Sequence, residues 1–135
     1  MFGKKPRVIA HQLKYAGEGH YEIPLDGADF GLVFEENKET GYLYVTTSGF
    51  AEILDALHLY DRGTEEALRP EDEVFLVWSP DLEKAGFYFR GRFQAGVDFR
   101  RHEACCRSGF PTLPNTPWLR STHEWNDKVV RGLEP

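Results

Sequence analysis

Glu73-Val-Phe-Leu-Val-Trp-Ser79 is a nearly continuous apolar run bounded by charge on one side and Pro80 on the other, and its reading decides the fold. A short run of β-branched and aromatic residues between breakers predicts a central strand buried on both faces. Pro80-Asp81 starts a turn. Residues 86–92 (GFYFRGR) then alternate, with Phe87, Phe89 and Gly91 on one side of a strand and Tyr88, Arg90 and Arg92 on the other. Residues 93–99 continue that strand or return as another, with Gly91 or Gly96 permitting a bulge or bend. The expectation is an antiparallel meander, arranged as a sandwich or a partly closed barrel.

Working outward, residues 31–34 (GLVF) and 41–47 (GYLYVTT) are β-branched and aromatic, and the polar residues 35–40 between them suit a hairpin connection. Residues 7–13 (RVIAHQL) read as a first short strand, and residues 17–20 as a glycine-bearing turn before Tyr21-Glu-Ile23. From Ser48 the period is ambiguous. Phe50, Ile53, Leu54 and Leu57 match helical spacing with Ser48 as N-cap, while Ile53, Leu57 and Leu59 also suit one face of a strand. The preferred reading is a short middle helix running into an extended segment over residues 57–60. Residues 61–72 form a polar connection. Pro111, Pro114 and Pro117 exclude regular structure up to Trp118; Thr116 as N-cap and Pro117 at the first helical position then predict a C-terminal helix. Its apolar stripe would be Trp118, Leu119, Trp125 and Val129, with Gly132 as the stop. The fold class is therefore α+β, mainly β, in one domain over residues 1–135.

Composition bounds the function. A 41% hydrophobic and 14% aromatic chain can fill a packed interior despite its charge. No stretch approaches the roughly 18–20 apolar residues of a membrane span, and residues 1–14 lack the features of a signal peptide. The expectation is a cytoplasmic protein without membrane contact. Cys105 and Cys106 are adjacent, so they cannot cross-link distant parts of the chain as disulfides of secreted domains do. Charge is segregated along the sequence. From Glu18 to Lys84 seventeen acidic residues face four basic ones, whereas from Arg100 to Arg131 six basic residues face three acidic. Such asymmetry attracts basic partners to one surface and repels nucleic acid from it, unless folding interleaves the two regions and cancels the field.

Several constellations carry reactive residue types. His102, Cys105, Cys106 and His123 are zinc-ligand types, but there is no C-x-x-C knuckle and adjacent cysteines rarely share one tetrahedral ion, so no metal is expected. Arg101, His102 and Arg107 would lower a nearby thiol pKa; the preferred reading is nevertheless an inert, packed pair of cysteines. Asp55 and His58 are three apart and would share a helical face, without the serine elbow that a hydrolase needs. Neither a Walker loop, nor G-x-G-x-x-G after a strand, nor H-E-x-x-H occurs, and no cofactor is expected. Residues 87–93 (FYFRGRF) fail the order of an RNA-binding strand motif, and a pI near 5.3 lacks the basic excess for phosphate contacts, so nucleic acid is not an expected partner.

As a set, Val33-Phe-Glu-Glu36, Thr40-Gly-Tyr-Leu-Tyr44, Ile53-Leu-Asp-Ala-Leu-His-Leu-Tyr60, Trp78-Ser-Pro-Asp81, Asp98-Phe99 and Cys106-Arg-Ser-Gly-Phe-Pro111 resemble a small family of uncharacterised bacterial proteins, a domain of unknown function, from about Gly31 to Pro111. The resemblance implies a small bacterial cytosolic protein and brings no catalytic residues with it. The leading expectation is a non-enzymatic protein-binding or immunity-type module whose acidic surface, with Glu35 and Glu36 among its binding residues, meets a basic protein partner. The alternative is a small enzyme or ligand-binding domain with a pocket lined by Asp55, His58, Trp78, Tyr88 and Arg107. A third reading, association through the aromatic strands, predicts a homodimer.

Overall fold

The computed structural model describes residues 7–118 and 122–134. Among the described residues, nine strands form two antiparallel sheets. In the first, β1 (Ile9–Leu13), β6 (Val74–Trp78), β7 (Lys84–Phe89), β8 (Arg92–Asp98) and β9 (Glu103–Cys106) lie in that spatial order. The second is the meander β2 (Gly19–Ile23), β3 (Phe30–Glu36), β4 (Thr40–Thr47) and β5 (Ile53–Asp61). The two sheets pack over one core and do not close into a barrel, so the sandwich alternative is the one realised.

The apolar run at 73–79 forms β6, paired on both edges, with Ile9 opposite Trp78 on one side and Phe75 opposite Tyr88 on the other. Alternation explains why every position in it is apolar. Val74, Leu76 and Trp78 enter the core shared by both sheets, while Phe75 and Val77 join a second cluster on the outer face. Residues 93–99 return as a separate strand rather than continuing β7. Arg90 (φ 51°) and Gly91 (φ 76°) are both left-handed, as the central residues of a two-residue hairpin with right-handed strand twist require. Across the core, the Phe34 and Phe87 rings lie 5.3 Å apart, Phe30 stacks on Phe99 at 5.0 Å, and Trp78 stacks on Phe99 at 5.3 Å. Each such buried side chain contributes about 1.5–3 kcal/mol from area alone.

The middle helix expected from Ser48 is absent. A single 3-10 turn, Ser48–Phe50, is broken by Gly49 at φ 76°, and β5 follows as a strand paired with β4. The misleading pattern has a physical origin. Register shifts leave Leu54 unpaired between Ile53 and Asp55, and Leu59 unpaired between His58 and Tyr60. Each extra residue breaks strict alternation, so a bulged strand imitates helical spacing.

The C-terminal helix is present but confined to α1 (Asp127–Val130), capped by the Asn126 side chain, which accepts from the Lys128 N–H. Thr116 is not its N-cap; the Thr116 hydroxyl donates to the Leu113 carbonyl. Tertiary contacts outweigh local helix signals over this stretch. The Trp118 N–H bonds to the Leu54 carbonyl, and His123, at φ 59°, bridges to Cys105. Leu119, assigned to the apolar stripe, lies outside the described residues. Among the described residues no helix is long and apolar enough to cross a membrane.

Candidate functional site

The two sheets treat their outer faces differently. On the first, the C-terminal segment lays Val130 and Leu133 over Val77 and Phe93, with Phe75, Tyr88 and Trp125 around them. Contact is close at Gly96, where a Cβ would meet the Val130 side chain at 2.5 Å. On the second sheet, alternation sends Ile23, Leu32, Phe34, Leu43, Val45 and Leu57 into the core. The opposite face therefore carries His20, Glu22, Glu35, Tyr42, Tyr44 and His58. Register aligns His20, Glu35, Tyr42 and His58 as one cross-strand row. The Tyr42 and Tyr44 rings stack at 6.0 Å, and Glu35 accepts from the Tyr44 hydroxyl at 3.4 Å and meets His20 at 3.3 Å. Burial, and then the negative charge of Asp61 beside Tyr42 and of Glu35 beside Tyr44, push both phenols up, so they remain neutral donors.

At the β5 edge of this face lies a cleft of about 300 Å³, bounded by the end of β5 and the loop after it on one wall and by β8 and residues 107–110 on the other. His58, only 4% exposed, is stacked under Phe110 at 4.0 Å and edge-on to Tyr42 at 5.5 Å. Its Nε2 faces the Asp61 carboxylate at 2.9 Å, which places a hydrogen there and leaves Nδ1 as a buried acceptor without a partner among the described residues. Facing it, Arg107 is pinned in two ways: Nε donates to the Phe93 carbonyl at 2.8 Å, and the guanidinium lies flat on Trp125 at 3.6 Å. Burial lowers the Arg107 pKa, and the like charge of Arg92 lowers it further. Ser108 ties the walls together by donating to the His58 carbonyl at 3.1 Å.

Of the residues singled out from sequence, His58 and Arg107 line this one cleft. Glu35 lies on the open face beside it. Asp55, Trp78 and Tyr88 lie elsewhere. Asp55 is fully buried against His123, whose Nε2 sits 2.9 and 3.0 Å from the two carboxylate oxygens while Nδ1 donates to the Phe110 carbonyl at 2.8 Å. Asp55 and His58 therefore point to opposite faces of β5, as a strand rather than a helix demands. Trp78 is in the core, its indole N–H without a partner among the described residues, and Tyr88 lies against Phe93 beneath the C-terminal segment. Glu36 is buried and accepts from Tyr15 at 2.6 Å and from Tyr60, with Arg62 at 3.8 Å; burial followed by the Glu36 hydrogen bond drives both phenols far above the ordinary tyrosine range. The cysteines are free and buried, Cys106 in the shared core and Cys105 on the other face beside Gly96. Burial pushes the Cys105 thiol up to about 11. Among the described residues, no three His, Cys, Asp or Glu side chains converge as a metal site needs.

Sequence reasoning missed Asp61, Arg92, Gln94, Tyr42 and Tyr44. The tyrosines carried a usable signal, being two apart in a segment already read as a strand and hence on one face. The cleft residues carried none, because β5 and β8 belong to different sheets and meet only in three dimensions.

Fold and cleft together define a small β domain of two facing antiparallel sheets, one outer face covered by its own chain and the other open. A family model described as an uncharacterised protein conserved in bacteria (DUF2251) matches residues 16–134, and the chain belongs to that family. No curated protein and no solved structure matches the chain.

Proposed function

We propose that this protein is a non-enzymatic binding module whose open outer face, on β2 to β5, captures a basic segment of a protein partner. The observation that carries this reading is the contrast between the two outer faces. The C-terminal segment covers one, and the other presents stacked tyrosines among carboxylates. Residues 19–61 contain nine acidic residues and one lysine and build a sheet of their own; Glu36 and Asp55 are buried, Asp55 against His123, which leaves seven acidic residues on this sheet and its loops. Neutral tyrosine rings beside Glu35 and Asp61, with Glu22 on the same face, suit lysine and arginine side chains, which gain both charge complementarity and cation–π contact. A second copy of the chain fits poorly, since it would bring like charges together.

The test uses a seven-lysine peptide and a seven-glutamate peptide as probes, titrated into the 15N-labelled protein at low and moderate salt. The lysine peptide is expected to shift amides of β2 to β5 on the open face, with affinity falling as salt rises. Glu22→Gln and Tyr44→Ala are each expected to weaken it by about threefold to tenfold, in keeping with exposed ion and cation–π contacts of about 0.5–1 kcal/mol. Shifts scattered over both sheets, equal binding of the glutamate peptide, or self-association through β2 to β5 would each overturn the reading.

A further inference from the structure

We infer that the cleft between β5 and β8 is a separate binding site for a small molecule with a carboxylate or phosphate at one end and an amine at the other. Its two walls carry opposite charge. Arg92 and Arg107 bound it on one side, Asp61 and Glu66 on the other, with Gln94 between. Among the described residues neither arginine makes an ion pair, and the like charge of Arg92 acts on Arg107 along the same wall. Asp127 offsets part of this repulsion at Arg107, and the larger effect of Arg92 remains until an anion joins the two guanidiniums.

Arg107 is also prepared for such a role. The bond from Nε to the Phe93 carbonyl and the stack on Trp125 fix its plane, and among the described residues the terminal nitrogens make no hydrogen bond. A side chain already immobilised loses little entropy when a ligand arrives. The far wall selects against a plain anion. Asp61 is held by His58, and Glu66 makes no ion pair among the described residues, so a second negative charge would be repelled there and an ammonium group welcomed. His58 adds an independent sign, because a buried acceptor with no partner among the described residues marks a place where a ligand could complete the hydrogen bonding. The volume of about 300 Å³ falls at the small end of ligand sites, which run from roughly 300 to 1,000 Å³. A short bipolar metabolite matches that size.

Four probes separate the parts of this assignment: γ-aminobutyrate, O-phosphoethanolamine, butyrate and butylamine, each titrated while the Trp125 indole and Arg107 Nε–H signals are followed by NMR. One or both bipolar probes should saturate, with the better of the two identifying the anionic group; butyrate should bind more weakly and butylamine not at all. Arg92→Gln, at an exposed side chain without an ion pair, should cut affinity about tenfold while leaving the folded spectrum intact, as loss of one charge-assisted contact predicts. Glu66→Gln should bring the affinities of γ-aminobutyrate and butyrate together. Failure of both bipolar probes to saturate, Arg92→Gln binding as tightly as the parent, or butyrate matching γ-aminobutyrate in the parent protein would overturn the proposal.

Discussion

The two sheets differ in what their outer faces have become. The first is apolar on both sides, and the C-terminal segment supplies the missing layer: Val130 and Leu133 sit on Val77 and Phe93, and Gly96 lets α1 approach. The second sends its large apolar side chains toward the core, and its outer face is finished mainly with tyrosines, carboxylates and histidines that tolerate water, around the small buried Val33 and Ala56. The same pleat yields a two-sided strand in β6 and a one-sided strand in β4, according to what stands at alternate positions. The contrast teaches that covering a face and leaving one open are both written into the strands, and that the open one is the place to look for partners.

One polar link joins the two halves of this arrangement. His123, on the segment that leads to α1, reaches through the interior to Asp55 on β5, and both are completely buried. Since Nδ1–H is spent on the Phe110 carbonyl, the imidazole and the carboxylate share a proton through Nε2. Breaking this link should have the largest effect of any single change considered. Asp55→Ala leaves His123 buried without its carboxylate partner, with only the Thr112 hydroxyl at 3.4 Å from Nε2, and is expected to cost about 3–5 kcal/mol in urea unfolding. The double variant Asp55→Ala, His123→Leu should lose much less than the sum of the two single changes. A loss under about 1 kcal/mol for Asp55→Ala would mean that apolar contacts alone hold the covering segment.

That pair also marks the boundary of what was legible. The strands around β6, the hairpin between β3 and β4, and the overall preponderance of β structure follow from alternation and turn residues, all of which are local. Two bulges hid β5, because Leu54 and Leu59 each add a residue that the partner strand does not match. Residues 116–126 carry strong helix-start signals, yet Trp118 and His123 are held by residues more than sixty positions away in sequence, and such bonds leave no periodic trace. The cleft was half legible for the same reason. His58 and Arg107 stood out as residue types, but their meeting depends on β5 and β9 coming together at the edges of two different sheets, through Ser108 and His58.

The covered face makes a second prediction, in pH. Cys105 lies under the C-terminal segment beside Gly96, with its thiol pushed up from 9.0 to about 11 by burial. In the unfolded chain the thiol ionises near its ordinary value, so between about pH 9 and 11 the folded state holds the proton that the unfolded state has lost. Stability is then fully present below about pH 9 and falls as pH rises toward 11, by roughly 2 kcal/mol for a shift of this size. Tyr15 and Tyr60 push in the same direction at still higher pH. Cys105→Ala should flatten the decline over this window when urea midpoints are compared at successive pH values. Rapid labelling of Cys105 by a thiol reagent at pH 8 without unfolding would show that the cover is loose.

The smallest expected effect on stability belongs to the open face, and there smallness is the informative result. Glu35 and its partner His20 are 39% and 56% exposed at the side chain, and exposed pairs of this kind contribute about 0–1 kcal/mol. Glu35→Gln keeps the shape and the hydrogen bond from Tyr44 while removing the charge, so the free energy of urea unfolding should change by less than about 0.5 kcal/mol. If the face is kept open for a basic partner, the same change should weaken association with a lysine-rich peptide several-fold and reduce its dependence on salt. Stability and association would then respond in opposite proportion to what a change such as Asp55→Ala produces on the buried side. A Glu35→Gln protein that loses stability but binds the peptide unchanged would make the carboxylate part of the scaffold, and the distinction between a finished face and a waiting one would fail at its centre.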